Sequence, residues 1–184
     1  MTAHRSELTL CPSPDAKQIL DLIQELADYE KESDAVEATV ETLQATIAFS
    51  PPDAVYDPSS LPVTEPTSPN RPSRCLLLVD TDGTAVGMAL YFYTYSTWRS
   101  VPGIYLEDLY VKQSQRGKGY GKRLLVALAK EVRAMGGARF DWSVLKWNEP
   151  SIKFYESIGA VAQSEWVGMR VDREGLVKLA TLLD

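Results

Sequence analysis

The chain has 184 residues, 45% of them hydrophobic and 24% charged, a balance suited to one globular domain with a sizeable core. Its net charge of −6 argues against a nucleic-acid partner, which needs a basic surface, and is compatible with a cationic substrate. The N-terminus lacks a signal-peptide run, the apolar stretch Ala85 to Tyr95 is too short to span a bilayer, and Cys11 and Cys75 have no metal-ligand spacing, so a cytoplasmic enzyme with free thiols is expected.

Glu7 to Cys11 reads as a first strand. Ser13-Pro14-Asp15 then reads as a helix start, with Ser as N-cap, Pro at the first helical position and an acid in the first turn. Ile19, Leu22, Ile23, Leu26 and Ala27 follow at helical spacing, and this helix ends near Tyr29-Glu30-Lys31. A second helix is predicted over Val40 to Phe49, with Leu43 and Ile47 inward. Residues 51–72 break the pattern, because seven of the eleven prolines lie there among Ser, Thr and Asp. Such a segment cannot pair in a sheet and has little to bury, so it reads as a long surface loop.

Cys75 to Val79 and Ala85 to Tyr95 are predicted strands, joined through Thr81-Asp82-Gly83 as a hairpin. A further strand, Ile104 to Val111, leads into Arg116-Gly-Lys-Gly-Tyr-Gly121. After it, Leu124, Leu125, Leu128, Ala129 and Val132 mark an amphipathic helix to about Ala134, stopped by Gly136-Gly137. Arg139 to Val144 is strand-like. Asn148-Glu149-Pro150 opens a short helix carrying Ile152, Tyr155 and Ile158 on one side and closed by Gly159. A strand near Trp166 to Val171 and a helix from about Arg173 complete an α/β chain, a meander of strands followed by βαβα.

Glycine after a strand lets backbone approach a ligand, and the helix start beyond it offers unpaired N–H groups and a positive dipole to an anion. A tight turn is the alternative use of the same glycines. The basic residues Arg116, Lys118, Lys122 and Arg123 are unfavourable at a helix start unless an anion sits there. Two nucleotide spacings fail. A Walker loop counted back from Lys122 needs glycine where Arg116 stands and Ser or Thr where Arg123 stands, and the G-x-G-x-x-G series meets Lys122 or Leu124 at its third position.

The spacing that fits, Arg116-x-x-Gly119-x-Gly121, resembles the acetyl-CoA signature of the GNAT N-acetyltransferase superfamily. Glu25 to Glu30 (Glu-Leu-Ala-Asp-Tyr-Glu), Tyr91 to Trp98, Tyr105 to Val111 and Trp147 to Tyr155 (Trp-Asn-Glu-Pro-Ser-Ile-Lys-Phe-Tyr) resemble its spermidine/spermine (polyamine) and thialysine N-acetyltransferase branch. The resemblance spans roughly residues 7 to 180, with the proline-rich segment at about 51–72 as an insertion. It implies one GNAT domain over residues 1–184, a mixed, mostly antiparallel central sheet flanked by helices. It also implies acetyl-CoA as co-substrate, no metal, and a dimer sharing the acceptor site.

The resemblance further implies a role for each matching position. Glu107 is expected as the base, since an amine of pKa about 10.4 must lose a proton before attack, and adjacent Glu107 and Asp108 face opposite sides of a strand. Tyr155 is expected as the acid for the departing thiolate. Its alternative is ring packing with Ile152 and Ile158. Donor contacts are expected from Leu109 and Val111 on the strand, from Arg116, Gly117, Lys118, Gly119, Tyr120, Gly121 and Lys122 in the loop and helix start, and from Asn148 and Ser151. Asn148 is equally a candidate N-cap. Tyr29, Glu30, Trp98 and Asp108 correspond to an acidic, aromatic acceptor pocket. Lys112-Gln113-Ser114-Gln115 and the 97–104 loop depart from the branch's wording, which leaves the amine open: polyamine, lysine analogue or another. A protein or peptide acetyltransferase and a non-catalytic CoA-binding sensor are the competing readings.

Overall fold

The computed structural model describes residues 7–10, 15–51, 53–57 and 59–184. The chain falls into two compact units, one running to Ser143 and the other Val144–Asp184. In the first unit the strands β1 (Glu7–Leu10), β2 (Ser73–Val79), β3 (Ala85–Ser96), β4 (Val101–Val111) and β5 (Arg139–Trp142) form one sheet in sequence order. Neighbours from β1 to β4 are antiparallel and only β4–β5 is parallel, so the sheet is mixed and mostly antiparallel, as expected. Asp80 N–H donates to Thr84 across the β2–β3 turn, and Gly83 there sits at φ +84°.

Helices α1 (Ala16–Glu30) and α2 (Val40–Thr46) cover one face of the sheet. Ile19 and Leu22 of α1, Leu43 of α2, and Cys75, Leu77, Met88 and Tyr110 of the strands form one buried cluster there. The predicted N-cap Ser13 and first-turn Pro14 lie outside the described residues, as does Cys11; Cys75 is a buried free thiol. Asp15 accepts from Gln18 Nε2 at 3.1 Å. A capping box between Thr39 and Thr42 starts α2, and the helix stops at Thr46, short of the expected Phe49. Ile47 is instead extended and bridges Ser73, which still buries it.

Helix α3 (Tyr120–Ala134) covers the opposite face, since Tyr91 and Tyr93, of opposite parity to Met88, reach its Glu131. Gly87 leaves room for the neighbouring strand β4. A Cβ there would stand 3.0 Å from the Tyr110 carbonyl and 3.2 Å from the Val111 side chain. Among the described residues the proline-rich loop forms no strand, only an isolated bridge between Ser68 and Arg71, yet it is tied down. Thr64 accepts from Arg74 Nε at 2.9 Å, Glu65 N–H donates to Phe49 at 2.9 Å, and Arg71 pairs with the Glu65 carboxylate. Pro52 and Pro58 lie outside the described residues.

In the second unit, α4 (Glu149–Ser157) and α5 (Arg173–Ala180) are helical as predicted. The strand expected near Trp166 to Val171 does not form. A strand persists only with a neighbour to complete its hydrogen bonds, and no described strand pairs with this segment. Trp166 and Val171 are exposed.

Candidate active site

Strand β4 supplies the centre of the site through an irregularity. Leu90 of β3 pairs with Asp108, but the next residue, Tyr91, pairs with Leu106, which leaves Glu107 without a partner across the ladder. A bulge of this kind re-aims side chains and increases local twist. Glu107 is exposed at the bulge, while Asp108 turns toward the α1 face. The partial burial of Asp108, with Glu107 and Glu30 as negative neighbours, pushes its carboxyl up from 3.8 to about 6. Glu30 is raised as well, by burial and then by Glu32. Tyr29 is half-buried in the last turn of α1, which ends on Lys31 in the left-handed region at φ +66°. The structure thus brings Glu30, Glu107 and Asp108 into one electrostatic neighbourhood, with Tyr29 beside Glu30.

Trp98 does not join them within this chain. It is 91% exposed in the turn between β3 and β4, at the strand end remote from Asp108. From Pro102 to Asp108 the strand alone spans roughly 20 Å at about 3.3 Å per residue.

Beyond Leu106, β4 loses its parallel neighbour. The β4–β5 ladder runs only from Gly103–Arg139 to Leu106–Trp142, so Leu109 and Val111 lie on a stretch without a strand beyond it. A short 3₁₀ turn (Gln113–Gln115) then leads into the glycines. Gly117 and Gly119 adopt φ +79° and +78°, which L side chains rarely reach. Gly119 is the N-cap of α3 and offers no capping side chain, and no acid stands in the first turn. The leading amides of α3, from Tyr120, Gly121 and Lys122, therefore lie where no intrahelical carbonyl reaches them. Lys118 donates to Gln115 Oε1 at 2.6 Å. Arg116 stays exposed but lies against Tyr29 of α1. Its Nε donates to the Val111 carbonyl at 3.2 Å, and its guanidinium stacks 4.7 Å from the Tyr29 ring centroid. This loop and strand end suit an anionic ligand carrying an extended arm: the backbone supplies donors, and the cations complement the charge.

In the second unit, Asn148 accepts from the Ser151 amide at 3.3 Å, so the structure gives it the N-cap role. Pro150 stands in the first turn, as its missing N–H allows. Tyr155 is half-buried on α4, with its ring 5.4 Å from that of Phe154.

Two features went unread in the sequence. Glu25 and Tyr29 lie four apart on α1, hence on one face, and Glu25 pairs with Lys112 at 3.3 Å just past β4. Glu131 falls on the apolar stripe of α3, seven residues after Leu124 and three after Leu128, and there it accepts from the hydroxyls of Tyr91 at 2.8 Å and Tyr93 at 2.7 Å. In both cases the spacing was the available signal.

The model of the acetyltransferase (GNAT) family matches residues 41–160. An L-ornithine N5-acetyltransferase of Arabidopsis thaliana is 32% identical over 95% of this chain and 89% of its own. A thialysine N-epsilon-acetyltransferase of Bos taurus is 34% identical over 90% and 92%. Among solved structures, an integron cassette protein from the mobile metagenome of V. cholerae superposes with a TM-score of 0.72, at 25% identity and over 96% of this chain and 98% of the other.

Proposed function

The chain belongs to the GNAT acetyltransferase family and is an N-acetyltransferase, and from that premise we propose that it moves the acetyl group of acetyl-CoA to a primary amine of a small polyamine-like or lysine-analogue substrate. The observation that carries this reading is the bulged β4. It sets a carboxylate pair, Glu107 and Asp108, just upstream of an uncapped, glycine-led helix start. The relatives' names point to amine side chains, ornithine in one and thialysine in the other.

In this reading the donor brings an activated thioester, and the protein holds it by backbone. Amides of Gly117, Gly119, Tyr120, Gly121 and Lys122 take the pyrophosphate with help from Lys118, the outer edge at Leu109 and Val111 pairs with the pantetheine arm, and Asn148 and Ser151 are assigned to the donor as well. Asp108, Glu30 and Tyr29 draw in the cationic amine. Glu107, solvent-facing at the bulge, accepts the amine proton directly or through water, which frees a lone pair for the acyl carbon. As the new C–N bond forms and the C–S bond breaks, the Tyr155 hydroxyl protonates the leaving sulfur, and the second proton shed by the acylated nitrogen restores the hydroxyl through solvent. Both substrates are held at once, so transfer is direct.

We read residues 1–184 as one such domain, cytoplasmic and acting without nucleic acid, membrane or metal. No helix among the described residues is long and apolar enough to cross a membrane, and no group of three or more His, Cys, Asp or Glu residues among them could hold a metal. A homodimer suits the exposed apolar surface of the second unit and lets Trp98 complete the acceptor pocket of its partner.

The test is thiol release from acetyl-CoA across a panel of ornithine, thialysine, spermidine, diamines, amino sugars and peptides. Turnover with small diamines or lysine analogues is expected. Binding of acetyl-CoA without release for any amine would turn the reading to a sensor, and release with peptides alone to a protein acetyltransferase. Tyr155→Phe should lower kcat by about a hundredfold with donor affinity little changed. An unchanged rate removes Tyr155 from the chemistry.

A further inference from the structure

Among the cations around the glycine loop, Arg116 lies against the last turn of α1. Its guanidinium lies 4.7 Å from the Tyr29 ring centroid and 5.8 Å from that of Tyr110, while Nε is fixed on the Val111 carbonyl at 3.2 Å. Tyr29 immediately precedes Glu30, whose carboxylate is among the charges acting on Asp108. One turn earlier, Glu25 is joined to Lys112 at 3.3 Å. Two cations from the segment between β4 and the glycines therefore grip the last two turns of α1, and that helix then ends on the left-handed Lys31. The end of the helix that carries acceptor-side residues is fastened to the loop that faces the donor.

We propose that Arg116 is a positioning residue that couples the two substrate sites, holding the Tyr29–Glu30 end of α1 against the donor loop so that occupying the loop tightens binding of the amine. This rests on the donor and acceptor assignments above and goes beyond them. A pyrophosphate seated on the loop amides restricts Arg116, Arg116 restricts Tyr29, and the carboxylate beside Tyr29 becomes ordered for a cation. A guanidinium–ring contact of this kind supports a coupling of about three- to tenfold, and linkage makes it reciprocal, so amine binding tightens the donor by the same factor.

The full-length enzyme tests this by calorimetry, with the best amine of the panel titrated in the absence and presence of CoA, which binds without reacting. In the wild type the amine should bind about fivefold tighter with CoA present. Arg116→Gln and Tyr29→Leu should each abolish that difference, the double variant should do no more than either alone, and Arg116→Lys, which keeps charge but not the planar stack, should restore part of it. Arg116→Gln should also raise the amine KM at saturating donor and the donor KM at saturating amine by similar factors. Backbone amides 27–32 should exchange faster with solvent in the ligand-free Arg116→Gln and Tyr29→Leu proteins than in the wild type. A variant that weakens CoA while leaving both the coupling and this exchange unchanged would make Arg116 a phosphate ligand only and overturn the proposal. If no amine binds the wild type, the acceptor assignment fails. The exchange rates then decide alone whether Arg116 holds α1, and unchanged rates overturn that too.

Discussion

In the proposed reading, Asp108 serves amine binding at the expense of stability. Burial first, then Glu107 and Glu30, lift it from 3.8 to about 6. Between those values the folded chain binds more protons than the unfolded one, so stability falls as pH rises through the window and the full penalty applies above pH 6. At about 1.4 kcal/mol per pH unit the penalty is on the order of 3 kcal/mol. Asp108→Asn should therefore raise the melting temperature at pH 7.5, and the gain should vanish near pH 3.5. The same variant should bind a cationic amine at least tenfold more weakly at pH 7.5 and lose the fall in amine KM expected of the wild type as pH rises through about 6. Equal melting temperatures at both pH values would show that Asp108 carries no such penalty. Glu107 and Asp108 were legible from the sequence as a pair. Their division into an exposed and a half-buried acid was not, because it depends on a bulge set by the β3–β4 register.

Helix α3 carries two polar features at opposite ends, and only one was readable. Its glycine-led start follows from residue order alone, since Gly117 and Gly119 adopt conformations that few other residues tolerate. Glu131 stands on the apolar stripe and is 3% exposed. Burial raises its carboxyl, against the opposing pull of Tyr93, Tyr91 and Arg74. Arg74 is itself 7% exposed, lies 4.5 Å from the Tyr93 ring, donates through Nε to Thr64, and has a buried Nη1 with no hydrogen-bond partner. Removing one member of such a set leaves a buried charge uncompensated. Glu131→Ala should cost about 3–5 kcal/mol in urea unfolding, whereas Arg74→Met combined with Glu131→Leu should recover a substantial part of that loss. A single variant within 1 kcal/mol of the wild type would show that water already reaches the group. The proline-rich insertion borders this cluster through Thr64. Burial raises Tyr56 of the same segment, with the charge of Glu131 adding to the effect.

At the scale of the molecule, the C-terminal unit keeps a large apolar surface in contact with solvent. Trp166, Val167, Met169, Leu176, Leu179 and Leu182 are between 54% and 90% exposed, and α5 has no buried residue. Soluble monomers rarely leave so much apolar area uncovered. Sedimentation should give the wild type twice the chain mass. Paired Trp166→Asp and Leu176→Asp changes should shift it toward the monomer and lower acetylation severalfold. A wild-type monomer with full activity would sink the shared-pocket reading. The sequence by itself determined the strand and helix order through periodicity, and it determined the glycine-led start of α3 through glycines whose backbone requirement is local. Its family resemblance was legible in the short strings around Arg116 and Trp147. The tertiary structure alone decided the bulge at Glu107, the turning of Arg116 onto Tyr29, the placing of Trp98 far along β4 from Asp108, and the absence of a strand at 166–171. Each of these depends on what a segment meets across the fold: a ladder register, a ring from another helix, a missing strand neighbour. No local pattern in the chain encodes such meetings.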